Sequence, residues 1–181
     1  MEMGLRIADQ LEIRKLSRPY MEKLSKASNE TINLGYFDGA DILHIEKIDS
    51  KEVLRIDSPL GSRAPAYCTA LGKAILASLS EEELEAYLAE VKLTPRGPNT
   101  ITSKKNLKKE LNRIRQQKYA VDDEELFKGL RCVASPIFEY NGRSRYAISI
   151  SGPTVRHTFD RIDKIHPIIK DVCEEISRKL G

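Results

Sequence analysis

The sequence predicts an α+β domain built on one antiparallel sheet of about six strands with helices packed on it. Three observations carry this. Two turn dipeptides, Asp38-Gly39 and Asn141-Gly142, each separate runs with strand character. The stretch between them holds helix caps and apolar residues at helical spacing. The C-terminal segment sets Ile162, Ile165, Ile169, Val172 and Ile176 on one helical stripe.

Residues 1–28 read as helical, with Ile13, Leu16, Tyr20 and Leu24 sharing a face. Pro19 lacks an amide hydrogen and clashes one turn back, so a break or kink is expected there, with Ser17 near a new start. Thr31 to Phe37 and Ile42 to Ile48 flank the first glycine turn, and Val53 to Ile56 reads as a third short strand. Turn-linked strands pair antiparallel. Pro59 to Pro65 is read as a loop. A helix follows from about Thr69 to Leu79, and Ser80 with Glu83 forms a capping box for the next, with Leu84, Tyr87 and Val91 inward. After the loop Thr94 to Pro98, Ser103 caps a helix to about Gln117 with Leu107, Leu111 and Ile114 on one face. Tyr119 to Val121, Cys132 to Phe138 and Arg145 to Ile150 are the last strands, with an acidic loop, Asp122 to Gly129, after the first of them.

Composition narrows the function classes. The 181 residues carry 30 Lys plus Arg against 27 Asp plus Glu, a formal charge of +3, too small for the whole chain to be a polybasic binder. No apolar run approaches the roughly 20 residues of a membrane span, so no membrane partner is expected. Cys68, Cys132 and Cys173 are sparse and lack a CxxC pair, which fits a reducing cytoplasm better than a disulfide framework and leaves no cysteine metal site. No cofactor loop of the Walker or GxGxxG type occurs, and His44, His157 and His166 have no metal or catalytic spacing. His44, alternating with Leu43 and Ile45, is expected to face solvent, and the other two to belong to the last helix.

Three segments could carry chemistry. In Gly61 to Ala74 a loop enters a helix capped by Thr69, so amides near Ala70 and Leu71 sit at its positive end, where anions are favoured; the plain alternative is an ordinary capped helix. In Val121 to Ala134, four consecutive acids read first as a solvated loop, yet Asp122 at a strand end can turn inward, and burial would raise its pKa. In Ala147 to Pro153, period-two alternation sets Ile148 and Ile150 on one face and Ala147, Ser149 and Ser151 on the other. Whether those serines meet a ligand or water depends on whether that face is covered.

Taken together, these segments resemble the effector-binding domain of the IclR family of bacterial transcriptional regulators, over essentially the whole chain, with some likeness to regulators of sugar-acid catabolism. The resemblance implies a GAF-like α+β fold: a curved antiparallel sheet with helices on both sides and a small-molecule pocket on one face. It implies that a small carboxylate (a keto acid, sugar acid or aromatic acid) meets the amides of Ala70 and Leu71, with polar contacts on Asp122, Cys132, Ser149 and Ser151 and apolar walls from Val53, Ile56, Ala64 and Leu130. Some relatives carry Gly-Ala where this chain has Ala70-Leu71, and a larger apolar residue at position 64, which changes pocket shape. Residues 1–28 would then be a linker helix and 29–181 the effector domain. DNA would be held by a separate N-terminal winged helix-turn-helix domain that does not fit ahead of Leu5, and a homodimer or tetramer is implied.

The sequence also admits two competing readings. Cys132 or Cys68 could serve a cysteine-based enzyme on the same scaffold, but Arg131, the cation that adjoins Cys132, points to the opposite strand face. Residues 92–118 hold nine Lys or Arg and one acid, Glu110, which reads more simply as the solvated face of a helix than as a nucleic-acid surface.

Overall fold

The computed structural model describes residues 2–181, apart from the side chains of Glu2 and Leu5; the expectation that the leading helix starts at Met1 lies outside the described residues. Helix α1 (Glu2–Ser28) precedes strands β1 (Thr31–Phe37), β2 (Asp41–Ile48) and β3 (Arg63–Pro65). Helices α2 (Ala70–Leu76), α3 (Glu81–Glu90) and α4 (Lys104–Gln117) follow. Strands β4 (Ala120–Asp123), β5 (Leu130–Ile137) and β6 (Tyr146–Pro153) and helix α5 (Phe159–Leu180) complete the chain. The strands form one curled antiparallel sheet in the order β3-β2-β1-β6-β5-β4, so β1 and β6 join the two hairpin halves at its centre.

Each face of the sheet has its own core. On one, Ile32, Leu34, Ile148 and Ile150 pack against Ile13, Met21 and Leu24 of α1 and the predicted isoleucine stripe of α5. On the other, Ile42, Ala134 and Ala147 meet Leu71 and Ile75 of α2, with Leu84, Leu107 and Leu111 of α3 and α4 behind them. The sheet is therefore covered on both sides, the condition under which the small polar face of β6 faces protein rather than water.

Four local expectations change. Helix α1 runs through Pro19 without a break. Its buried face is Ile13, Ser17, Met21, Leu24 and Ser28, and packing of that face outweighs the one backbone bond the proline deletes. Val53 to Ile56 makes no ladder. Its neighbourhood is held by side-chain bonds instead: Thr31 Oγ1 donates to Ile56 O at 3.0 Å and Arg156 Nη2 to Leu54 O at 2.8 Å. The third strand is instead Arg63–Pro65, within the expected loop, where Ile42 pairs with Ala64. His157 lies ahead of α5, before its cap Thr158, and is fully buried.

The fourth change concerns His44. A β-bulge shifts the β1–β2 register between Leu34 and Gly35, so Leu34 pairs with Glu46 but Gly35 with His44. His44 stands on the face opposite Leu43 and Ile45, on the α2 side with Ile42, and this face is covered: its Nδ1 sits 3.2 Å from Ser62 O. Its ring is half-buried rather than solvated, and burial holds its pKa below the usual value.

Candidate ligand-binding site

The small polar residues of four neighbouring strands fall in register. Asp122 pairs with Cys132, Cys132 with Ser151, and Ser151 with Thr31; one step along, Ala134 pairs with Ser149 and Ser149 with Asn33. Period two puts these rows on the face toward α2. Small side chains leave room where the helix crosses, and a cavity of about 60 Å³ remains between the sheet and the start of α2.

Nine of the ten residues expected at a site line this cavity: Ala70, Leu71, Asp122, Cys132, Ser149, Ser151, Ile56, Ala64 and Leu130. Val53 does not. It is 100% exposed, because its segment is a loop tethered by its neighbours rather than a strand folded onto the pocket. Asn33, His44, Asp57, Ser58, Thr69, Leu126 and Phe127 complete the lining. Asn33 is readable as the polar member of the alternation Thr31, Asn33, Gly35; His44 alternates with Leu43 and Ile45 as expected, but the covering of its face is not a local feature.

Helix α2 is placed by close backbone contact. Thr69 Oγ1 accepts from Gly72 N at 3.1 Å, and a Cβ at Gly72 would stand 2.0 Å from Ala66 O, so the helix start lies directly on the preceding segment. The amides of Ala70 and Leu71 occupy its first turn, where no carbonyl of the same helix can accept from them.

Asp122 is the electrostatic centre. Its Oδ1 accepts from Glu125 N at 2.8 Å, while Oδ2 is buried without a protein hydrogen bond, as is Asn33 Oδ1. Burial, reinforced by the nearby Glu125 carboxylate, pushes the Asp122 carboxyl up to about 7. It is thus poised to donate or accept at neutral pH. Behind it lies a group that sequence reasoning passed over: Lys73, fully buried, donates to Val121 O and Glu125 Oε2, both at 2.7 Å, and lies 3.5 Å from Glu110 Oε2. Nothing in the local pattern of α2 marks Lys73, because its acceptors come from β4, the following loop and α4.

The cysteines have no activating base. Burial pushes the Cys68 thiol up to about 12 and the Cys132 thiol well above its ordinary value, so both stay protonated. Arg131 turns to the other face, where it pairs with Asp123 at 2.8 Å. Among the described residues no group of three His, Cys, Asp or Glu is placed to hold a metal ion, and no helix is long and apolar enough to cross a membrane.

A larger cavity, about 540 Å³, lies across β3 beside α3, but no buried carboxylate lacking a partner faces it. Two unsatisfied acceptors, Asp122 Oδ2 and Asn33 Oδ1, belong to residues that line the smaller one. Buried acceptors of this kind require a donor.

The profile described as Bacterial transcriptional regulator IclR C-terminal matches residues 5–178. The HTH-type transcriptional regulator KipR of Bacillus subtilis is 35% identical over 181 residues, all of this chain and 72% of KipR. The HTH-type transcriptional regulator KdgR of Escherichia coli K12 is 36% identical over 180 residues, 99% of this chain and 68% of KdgR. The crystal structure of Thermotoga maritima IclR shares the fold with a TM-score of 0.92 at 39% identity, covering 99% of this chain and 73% of that one. An IclR homolog from Microbacterium hydrocarbonoxydans, complexed with 4-hydroxybenzoate, has a TM-score of 0.83 at 21% identity over 94% of this chain and 69% of its own, which is a likeness of fold.

Proposed function

The chain belongs to the IclR family of bacterial transcriptional regulators, as their C-terminal effector-binding domain, and on that premise we propose that its polar cavity takes a small hydroxy- or keto-carboxylate. One observation carries the ligand class: Asp122 Oδ2 and Asn33 Oδ1 are buried acceptors without donors, beside the Ser149 and Ser151 hydroxyls. A ligand hydroxyl supplies the missing donor to Asp122, and a keto oxygen accepts from the protonated carboxyl. The ligand's carboxylate accepts from the serine hydroxyls and from the first amides of α2. The complexed Microbacterium homolog, whose ligand carries both a hydroxyl and a carboxylate, fits this chemistry.

At about 60 Å³ the cavity is smaller than the several hundred Å³ common for ligand sites, so binding includes displacement of rim side chains such as Phe127, itself 62% exposed. In this reading the ligand favours one arrangement of the rim, of α2 and of associated subunits. That arrangement is passed through α1 to a DNA-binding winged-helix domain, and the domain acts as a homodimer or tetramer. A thermal-shift screen with sugar acids, keto acids and aromatic acids tests the pocket. A carboxylate that raises Tm in the wild type and loses the effect in Asp122→Ala and Ser149→Ala supports it, and no stabilising acid removes it. Light scattering tests the assembly, and a strict monomer would sink the transmission scheme.

A further inference from the structure

The 540 Å³ cavity has the size of a small-molecule site and a lining unlike the first. Its wall is aromatic and apolar. Phe37 and Tyr87 meet edge to face, with ring centroids 6.0 Å apart, and Leu79, Ala86 and Val91 extend the surface. Tyr67 is held in place by donation of its hydroxyl to Thr94 O at 2.6 Å. Strand β3 is the partition: Ala64 lines the effector cavity and its neighbour Pro65 lines this one.

The charges around it cancel. Glu83 is paired with Arg143 and bonded to its own cap Ser80. Arg96 is engaged by Tyr67 and by the charge of Asp41. Lys92 and Glu90, both exposed, have opposite signs. A ligand with a net charge therefore gains little here, while burial of a flat apolar body gains the most. Polar contacts remain available inside. Tyr87 is 7% exposed, and its hydroxyl has no partner at hydrogen-bonding distance, touched weakly by the Tyr67 backbone; Asp41, half-buried, is an acceptor at the same wall.

We propose that this cavity is a second ligand site, distinct from the effector pocket, for an uncharged aromatic molecule of one or two rings carrying a hydrogen-bond donor. The ring system lies against Phe37, Tyr67 and Tyr87, and its N–H or O–H is met by Tyr87 Oη or Asp41.

The chain contains no Trp, so the emission of added indole reports on the probe itself. Titration of the full chain into indole is expected to give a saturable one-to-one change in emission. Ala86→Phe, which fills the mouth from an exposed position on α3, is expected to abolish it. Tyr87→Phe, which removes one hydroxyl, weakens binding about fivefold. Ser149→Val, which alters the effector cavity, leaves it unchanged. A non-saturating response overturns the proposal, as does binding that survives Ala86→Phe or is lost in Ser149→Val. Tighter binding of indole-3-acetate or tryptamine than of indole overturns the uncharged class.

Discussion

Lys73 and Glu125 form a fully enclosed ion pair, Nζ to Oε2 at 2.7 Å, one hydrogen bond away from Asp122, whose Oδ1 accepts from the Glu125 amide. The pair ties α2, which starts at the cavity, to the loop after β4, which holds its carboxylate. Burial outweighs the attraction of Lys73 and keeps the Glu125 carboxyl above its ordinary pKa, so the cluster depends on every member.

Removing one member leaves the rest stranded. Lys73→Met deprives Glu125 and Glu110 of their shared cation and is expected to cost about 3–5 kcal/mol in urea unfolding. Adding Glu125→Gln to Lys73→Met should recover part of that loss, because it deletes the uncompensated charge. A double variant as unstable as the sum of the singles would show that the two residues act separately.

Asp122 makes stability depend on pH. Its ordinary carboxyl titrates near 3.8 and its folded one at about 7. Between those values the folded state keeps a proton that the unfolded chain has released. Stability therefore falls as pH rises from about 4 to about 7 and is level above. The gap of roughly three units corresponds to at most about 4 kcal/mol. Asp122→Asn should remove this slope: its stability relative to the wild type is expected to rise by up to that amount between about pH 4 and pH 8, read from urea midpoints.

His157 works in the opposite direction. Burial, then the positive charge of Arg161, lowers its pKa from 6.5 to about 4. The folded state thus resists a proton that the unfolded chain takes up, so stability is complete above about pH 6.5 and is lost as pH falls toward 4. His157→Phe is expected to flatten the acid limb and leave the Asp122 slope in place. An acid limb unchanged in that variant would assign the effect elsewhere.

These residues differ in how visible they were beforehand. The hairpin at Asp38-Gly39, the capping box at Ser80 and the α5 stripe are local patterns, set by backbone preference and periodicity, and they fold as read. Ser149 and Ser151 share a face because strand period is local too; that the face is covered depends on where α2 packs. Lys73, His44 and β3 depend on non-local facts: acceptors on other elements, a sheet face covered by a distant segment, and an edge pairing three residues long. Val53 was misplaced for the same reason, since side-chain tethers rather than strand propensity decide the path of its loop.

Gly72 should be the least replaceable residue of α2. A methyl group there would stand 2.0 Å from Ala66 O and 2.3 Å from Ala66 Cα, and backbone cannot rotate aside. Gly72→Ala must lift the helix from the Ala66–Cys68 segment, with losses of about 3 kcal/mol or more from Leu71 and Ile75. Gly35→Ala meets the side-chain ends Ile42 Cγ2 at 2.8 Å and Leu71 Cδ1 at 2.9 Å, which can shift, so a smaller drop in Tm is expected. Equal losses at the two positions would contradict this ranking.

The three cysteines should be chemically silent in the folded state. All are buried; burial drives the Cys68 thiol to about 12 and raises the Cys132 and Cys173 thiols strongly. The thiolate is the reactive form, so iodoacetamide at neutral pH is expected to label the native chain orders of magnitude more slowly than a free thiol. Three labels should appear together on unfolding in urea. Cys132 is the informative one, because it lines the effector cavity beside Asp122. A carboxylate seated there should slow its labelling further, which makes the thiol a reporter of occupancy. Rapid native labelling of Cys132 would instead mean a depressed thiol pKa and would reopen the cysteine-enzyme reading.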